Sequence, residues 1–266
     1  RRSAARPPRS RRLPKTSESR GTESILNALV LATRDAEAGR LSPEARQAFE
    51  HMWALQMHTG PAKGGWTWLN LGLEPWEGPN STYFGASIAA IALARAPEGY
   101  ATSPGIQPQL AALKAFLAGG LASQPLFNKL MILWASRSLP AAPGASPIID
   151  AAAERAIVEA TLATQSRDGG WTMTSLAPWT RQDGTTIGPE SDGYATAIAA
   201  LALREAGVPA GSPQLQSARR WLAQHQDAGS GAVVATSVNK LRDPKTEPAK
   251  FMTDAATSMA ALAVWR

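Results

Sequence analysis

Leu162-Ala163-Thr164-Gln165, then Gly169-Gly170-Trp171, then Leu176-Ala177-Pro178-Trp179, then Ile198-Ala199-Ala200-Leu201-Ala202-Leu203: this order of signals recurs along the chain and sets its architecture. It occurs earlier as Trp53-Ala54-Leu55-Gln56, Gly64-Gly65-Trp66, Leu73-Glu74-Pro75-Trp76 and Ile88-Ala89-Ala90-Ile91-Ala92-Leu93, roughly 110 residues upstream. A third copy follows 61 residues downstream as Trp221-Leu222-Ala223-Gln224-His225-Gln226, Gly229-Ser230-Gly231 and Met259-Ala260-Ala261-Leu262-Ala263-Val264, with Ala232 or Val233 where the tryptophan should stand. Residues 107–138 supply a further helix pair without the signature. A two-helix unit of roughly 50–60 residues accounts for both spacings, which is the mark of a repeat architecture.

Across the rest of the chain, the apolar spacing predicts helices over 22–38, 43–58, 81–96, 107–118, 124–138, 147–165, 191–206, 213–226 and 252–265. Ser42-Pro43, Ser146-Pro147 and Ser212-Pro213 each set a capping hydroxyl before a proline at the first helical position, where its missing N–H costs nothing. No segment sustains period-two alternation, so the chain is read as all-α. Two kinds of helix alternate. One carries a single bulky stripe and ends in Gln; the other is small and apolar nearly all round (Ile88 to Leu93, Ala195 to Leu203, Ala255 to Val264) and must be buried on several sides. Four outer Gln-ending helices around five inner Ala-rich ones follow, as an open solenoid or a closed ring.

Composition narrows the chemistry. The 266 residues contain no cysteine, which excludes disulfides, thiolate zinc sites, iron–sulfur clusters and a Cys nucleophile while leaving the compartment open. No apolar run approaches the ~20 residues of a membrane-spanning helix. The net charge of +6 is local: residues 1–20 hold eight basic groups and one acid, leaving 19 bases against 20 acids elsewhere. Residues 1–21 are therefore expected to form a basic disordered linker or tail, suited to peripheral contact with an anionic surface, and residues 22–266 a near-neutral domain that binds no nucleic acid. The chain starts at Arg1 with no signal-like apolar stretch, as expected of a processed chain or part of a larger one. No phosphate loop, dinucleotide fingerprint or nucleophile elbow occurs, so no cofactor is expected. His51, His58 and His225 lack ligand spacing and read as surface or capping groups rather than a metal site.

Arg220-Trp221-Leu222, three residues, Gln226 and a glycine-rich turn, like Gln165, three residues and Gly169-Gly170-Trp171, resembles the QW motif of squalene–hopene and oxidosqualene cyclases. The wider superfamily includes the protein prenyltransferase β-subunits. The resemblance covers residues 22–266 in organisation and these segments in motif. It implies an (α/α) toroid, incomplete here with nine predicted helices against the family's twelve, with an apolar isoprenoid ligand in its centre. It also implies a catalytic acid near an inner-helix start, where Asp254 and Asp192 stand. The Asp-x-Asp-Asp run of the cyclases is missing, and the prenyltransferase zinc site cannot form without cysteine.

Asp192 and Asp254 are thus the candidate catalytic acids, against helix capping as the structural role. Tyr83, Tyr194, Trp76, Trp179 and Asp183 are the candidate ligand-binding residues, against packing of loops onto the scaffold. The loops 69–80, 172–190 and 233–251 should emerge on one face, bringing Glu74, Glu77, Arg181, Asn239, Lys240, Arg242 and Asp243 with them. Three functions fit: isoprenoid cyclisation or binding, a non-catalytic toroid acting as a binding or interaction module of a larger protein, and a toroid enzyme acting on polysaccharide or protein.

Overall fold

The computed structural model describes residues 17–140 and 146–265. Most of the predicted basic tail lies outside the described residues. Those described form an all-α fold of ten α-helices and three short 3-10 turns. Extended pairing among them is limited to two isolated bridges, Leu73 with Glu77 and Gln226 with Val233. No helix among the described residues is long and apolar enough to cross a membrane.

The elements are α1 (Ser17–Ala38), α2 (Pro43–Ala54), α3 (Ser81–Arg95), α4 (Gln107–Gly120), α5 (Leu126–Ser136), α6 (Ala151–Ala163), α7 (Met173–Leu176), α8 (Gly193–Glu205), α9 (Pro213–Gln224) and α10 (Glu247–Trp265). Packing runs in one order: α1 on α3, α3 on α5, α5 on α8, α8 on α10. Against this inner row lie α2 on α1, α4 on α3, α6 on α5 and α9 on α8. The division matches composition. Every residue of α8 from Gly193 to Leu203 is buried, as is every one of α3 from Tyr83 to Leu93. Small side chains let neighbours approach from several sides. The outer helices bury one stripe each: Leu215, Ala218, Trp221 and Leu222 in α9, and Leu110, Leu113 and Leu117 in α4.

Ser42 and Ser212 cap as expected, their hydroxyls accepting the amides of Ala45 (3.2 Å) and Leu215 (3.4 Å). Ser146-Pro147 does not. The helix starts at Ala151, where the Asp150 carboxylate accepts the Ala153 amide at 2.7 Å and offers a charged acceptor closer to the apolar stripe. Two starts also move upstream. α1 begins at Ser17, inside the span assigned to the tail, and α10 begins at Glu247, five residues before its expected start.

Repeats are joined through their turns. Gln56, past the end of α2, donates its amide to Gly64 O (2.9 Å) and to Gln109 O in the first turn of α4 (3.0 Å). Gln165, past α6, repeats this with Gly169 O (2.8 Å) and Gln214 O in the first turn of α9 (2.9 Å). The indoles beneath are fully buried: Trp66 Nε1 donates to Met52 O at 2.5 Å and Trp171 Nε1 to Thr161 O at 2.8 Å, each four residues before the glutamine. Hydrogen bonds to helix-end carbonyls make the link. Gly64 and Gly169 allow it. Both hold left-handed backbone (φ 92° and 96°), and an added Cβ would meet Ala112 O at 2.1 Å and Ser217 at 2.9 Å.

Candidate functional site at the three-loop face

Each glycine-rich turn leads through a long loop to an inner helix. The first loop, 67–80, reaches α3; the second, 177–192, reaches α8; the third, 232–246, reaches α10. They interlock. Gln182 donates its side-chain amide to Gly72 O (2.6 Å) and its backbone amide to Asn239 O (2.8 Å), while Arg181 Nε donates to Ser237 O (2.9 Å). Asn239 Nδ2 reaches Glu74 O at 2.7 Å. Asp183 is part of this lacing. Its carboxylate accepts the amides of Thr185 (3.0 Å) and Leu241 (2.7 Å) and the Thr185 hydroxyl (2.6 Å), which hold it below the usual carboxylate range.

Three of the predicted aromatic residues gather below. Trp76 Nε1 donates to Tyr194 Oη at 2.9 Å, with the rings edge to face at 5.4 Å. Phe127 of α5 joins them, 6.2 Å from Tyr194 and 5.6 Å from Trp179. Burial pushes the Tyr194 phenol far above its ordinary range. Tyr83 stands apart: its hydroxyl donates to Leu117 O (2.7 Å) and its ring lies by Phe116, on the side of outer helix α4. Phe84, one residue on and a ~100° turn round the helix, takes the place facing Phe127 at 5.9 Å.

The two candidate acids do not meet. Asp192 is 3% exposed and caps α8, one oxygen accepting the Ala195 amide at 2.9 Å and the other the Thr236 amide of the third loop. Burial raises its pKa, and these amides pull part of the shift back. Asp254 is not at a helix start. It lies within α10 and is exposed. Equivalent hydroxyls give the register. Thr196 Oγ1 accepts the amide of Trp171 and Thr257 Oγ1 that of Val233, both at 2.9 Å, so the inner helices align at a spacing of 61 and the turn residues bonded to them at 62. Asp254 therefore corresponds to Gly193, and Thr253 to Asp192. The same bond settles which residue replaces the third tryptophan: Val233, 3% exposed.

Between the first and third loops the structure brings together a set of which sequence reading named Trp76 as a ligand-binding candidate, Glu74, Glu77, Asn239 and Arg242 only as loop residues, and Phe251 not at all. Glu74, Trp76, Glu77, Asn239, Arg242 and Phe251 line a cavity of about 140 Å³. Burial raises the pKa of both glutamates, against a hydrogen bond from Trp179 that draws Glu74 partly down. Half-buried carboxyls with shifted pKa in a cleft mark a candidate functional site. Among the described residues no cluster of His, Asp or Glu could hold a metal ion. His225 has the capping role expected, its Nδ1 donating to Trp221 O at 2.8 Å while its ring stacks on Trp221 at 3.9 Å. No protein-family model matches the chain, and no curated protein matches it.

Proposed function

We propose that the chain is a helical-repeat scaffold of the α/α-toroid type, similar in its glutamine–glycine–tryptophan turns to the squalene–hopene cyclases, and that it acts as a ligand-binding module through its three-loop face. The observation that carries this reading is the commitment of Asp192. Each of its oxygens accepts a backbone amide, one from each of two neighbouring repeats, so the buried carboxyl serves as a helix cap and a tie between repeats. A general acid needs its proton within reach of the substrate. Asp254, exposed on α10, has no supporting carboxylate cluster around it among the described residues. The dense side-chain packing of α3 and α8 also favours a surface site over a large central chamber for an isoprenoid.

The test is incubation of the full chain with squalene, epoxidised squalene and a polyprenyl diphosphate, followed by product analysis. The reading expects each to be recovered unchanged. Turnover that disappears in Asp192→Asn or Asp254→Asn overturns it and restores isoprenoid cyclisation.

A further inference from the structure

Building on the binding-module reading, we propose that the cavity between the first and third loops takes a single pyranose-sized sugar unit. Size is the first argument. At about 140 Å³ the space admits one small ring and falls well short of the ~300–1,000 Å³ clefts that hold larger ligands.

Chemistry is the second. Asn239 is only 8% exposed, and its Nδ2 is turned to Glu74 O by the bond at 2.7 Å. Its Oδ1 therefore faces the other way, has no partner among the described residues, and is not sealed from the cavity it lines. Arg242 is anchored through Nε to Ser237 Oγ at 3.3 Å; its remaining N–H groups form no ion pair among the described residues. Glu74 and Glu77 add two carboxyl groups. The rim thus offers an unused acceptor, several unused donors and two carboxyl groups, which matches the requirement of a ring of hydroxyls, each both donor and acceptor.

The walls supply the other half. Phe251 keeps 63% of its surface exposed and meets Trp76 edge to face at 5.7 Å, leaving aromatic surface for the C–H face of a sugar. A purely apolar occupant would strip water from Asn239, Arg242 and two carboxyls without replacing their hydrogen bonds, a cost that grows with each group. A simple anion meets the glutamates and a simple cation meets Arg242, so a neutral polyol is the occupant that satisfies all of them.

The experiment is titration of the full chain with glucose, galactose, mannose, xylose and N-acetylglucosamine, read by saturation-transfer NMR and by tryptophan fluorescence. Saturable binding is expected for at least one. Phe251→Ala and Arg242→Gln, both at accessible side chains, should each weaken it by about tenfold or more, while Val30→Ala on α1 leaves it unchanged. Absence of binding by every sugar overturns the inference, as does binding indifferent to both cavity substitutions. Binding of squalene or a polyprenyl chain that Phe251→Ala abolishes, with no sugar bound, also overturns it but leaves the binding-module reading standing. Asp192-dependent turnover of an isoprenoid overturns that reading and the inference with it.

Discussion

The turn after α6 and the turn after α9 begin alike and finish differently. Each closes on its glycine carbonyl, Gln165 on Gly169 at 2.8 Å and Gln226 on Gly231 at 2.8 Å. Each also has the return bond of the hairpin, Ser166 N to Gly170 O and Asp227 N to Ala232 O, both 2.8 Å. Gln165 has a second acceptor, the first turn of the next outer helix, and a buried indole beneath it. Gln226 has one acceptor among the described residues and lies exposed, with Val233 in place of the indole. The residues of the turn suffice to form the hairpin; the neighbouring outer helix makes it a joint between repeats.

Removing the indole should separate the two kinds of turn most widely. Trp66→Ala and Trp171→Ala should each lose about 3–5 kcal/mol in urea unfolding, from the cavity and the orphaned carbonyl. Val233→Ala should lose about 1–2 kcal/mol, in line with two fewer buried carbons. Equal losses at all three would mean that the third turn is a full joint after all.

Glycine substitutions probe the same difference through the backbone. All three glycines hold left-handed backbone, with φ of 92° at Gly64, 96° at Gly169 and 74° at Gly231. An alanine at any of them bears the left-handed cost of about 1–2 kcal/mol. At Gly64 and Gly169 the new methyl also strikes the next outer helix, whereas at Gly231 its nearest neighbour is 3.5 Å away. Thermal melts should rank Gly64→Ala as the most damaging and Gly231→Ala as the least.

The glutamines themselves come next. Gln56→Ala and Gln165→Ala each remove both side-chain bonds, one of them to the next repeat, for about 1–3 kcal/mol, while Gln226→Ala should cost about 0.5 kcal/mol or less because water can replace its single exposed bond. A slope with pH is the smallest effect. Asp192 has a raised pKa when folded, so the folded chain retains a proton that the unfolded chain releases. That contribution is full below the unfolded value of about 3.9 and is lost as pH rises through the folded value. Unfolding midpoints measured across this range should fall more steeply for the natural chain than for Asp192→Asn.

Which features the sequence discloses follows from which forces are local. Helix type is legible because a helix such as Ala195–Leu203 advertises burial on all sides by its composition, and Ser42 and Ser212 cap through bonds three residues long. The start of α10 is not legible, since Asn239, Lys240 and the prolines at 244 and 248 look like one continuous loop. Reading that loop to its end sets Asp254 at a helix start where it does not stand. Its correct counterpart emerges only from Thr196 and Thr257, whose hydroxyls bond amides 25 and 24 residues away. Tyr83 differs from its expected place by a single position in a helix, enough to turn it toward α4. The cavity draws on loops from the first and third repeats, and no local pattern announces that Phe251 will meet Trp76.

The bond from Asn239 to Glu74 spans 165 residues, and that from Trp76 to Tyr194 spans 118. Closing such spans is slow compared with winding the helices between them. On the ribosome, the scaffold can grow from its N-terminal end while its first loop waits, unlaced, for the last to emerge. The three-loop face is therefore laced only once the third loop has been made, and a polypeptide that stalls before that loop would be largely helical with its first loop still unjoined.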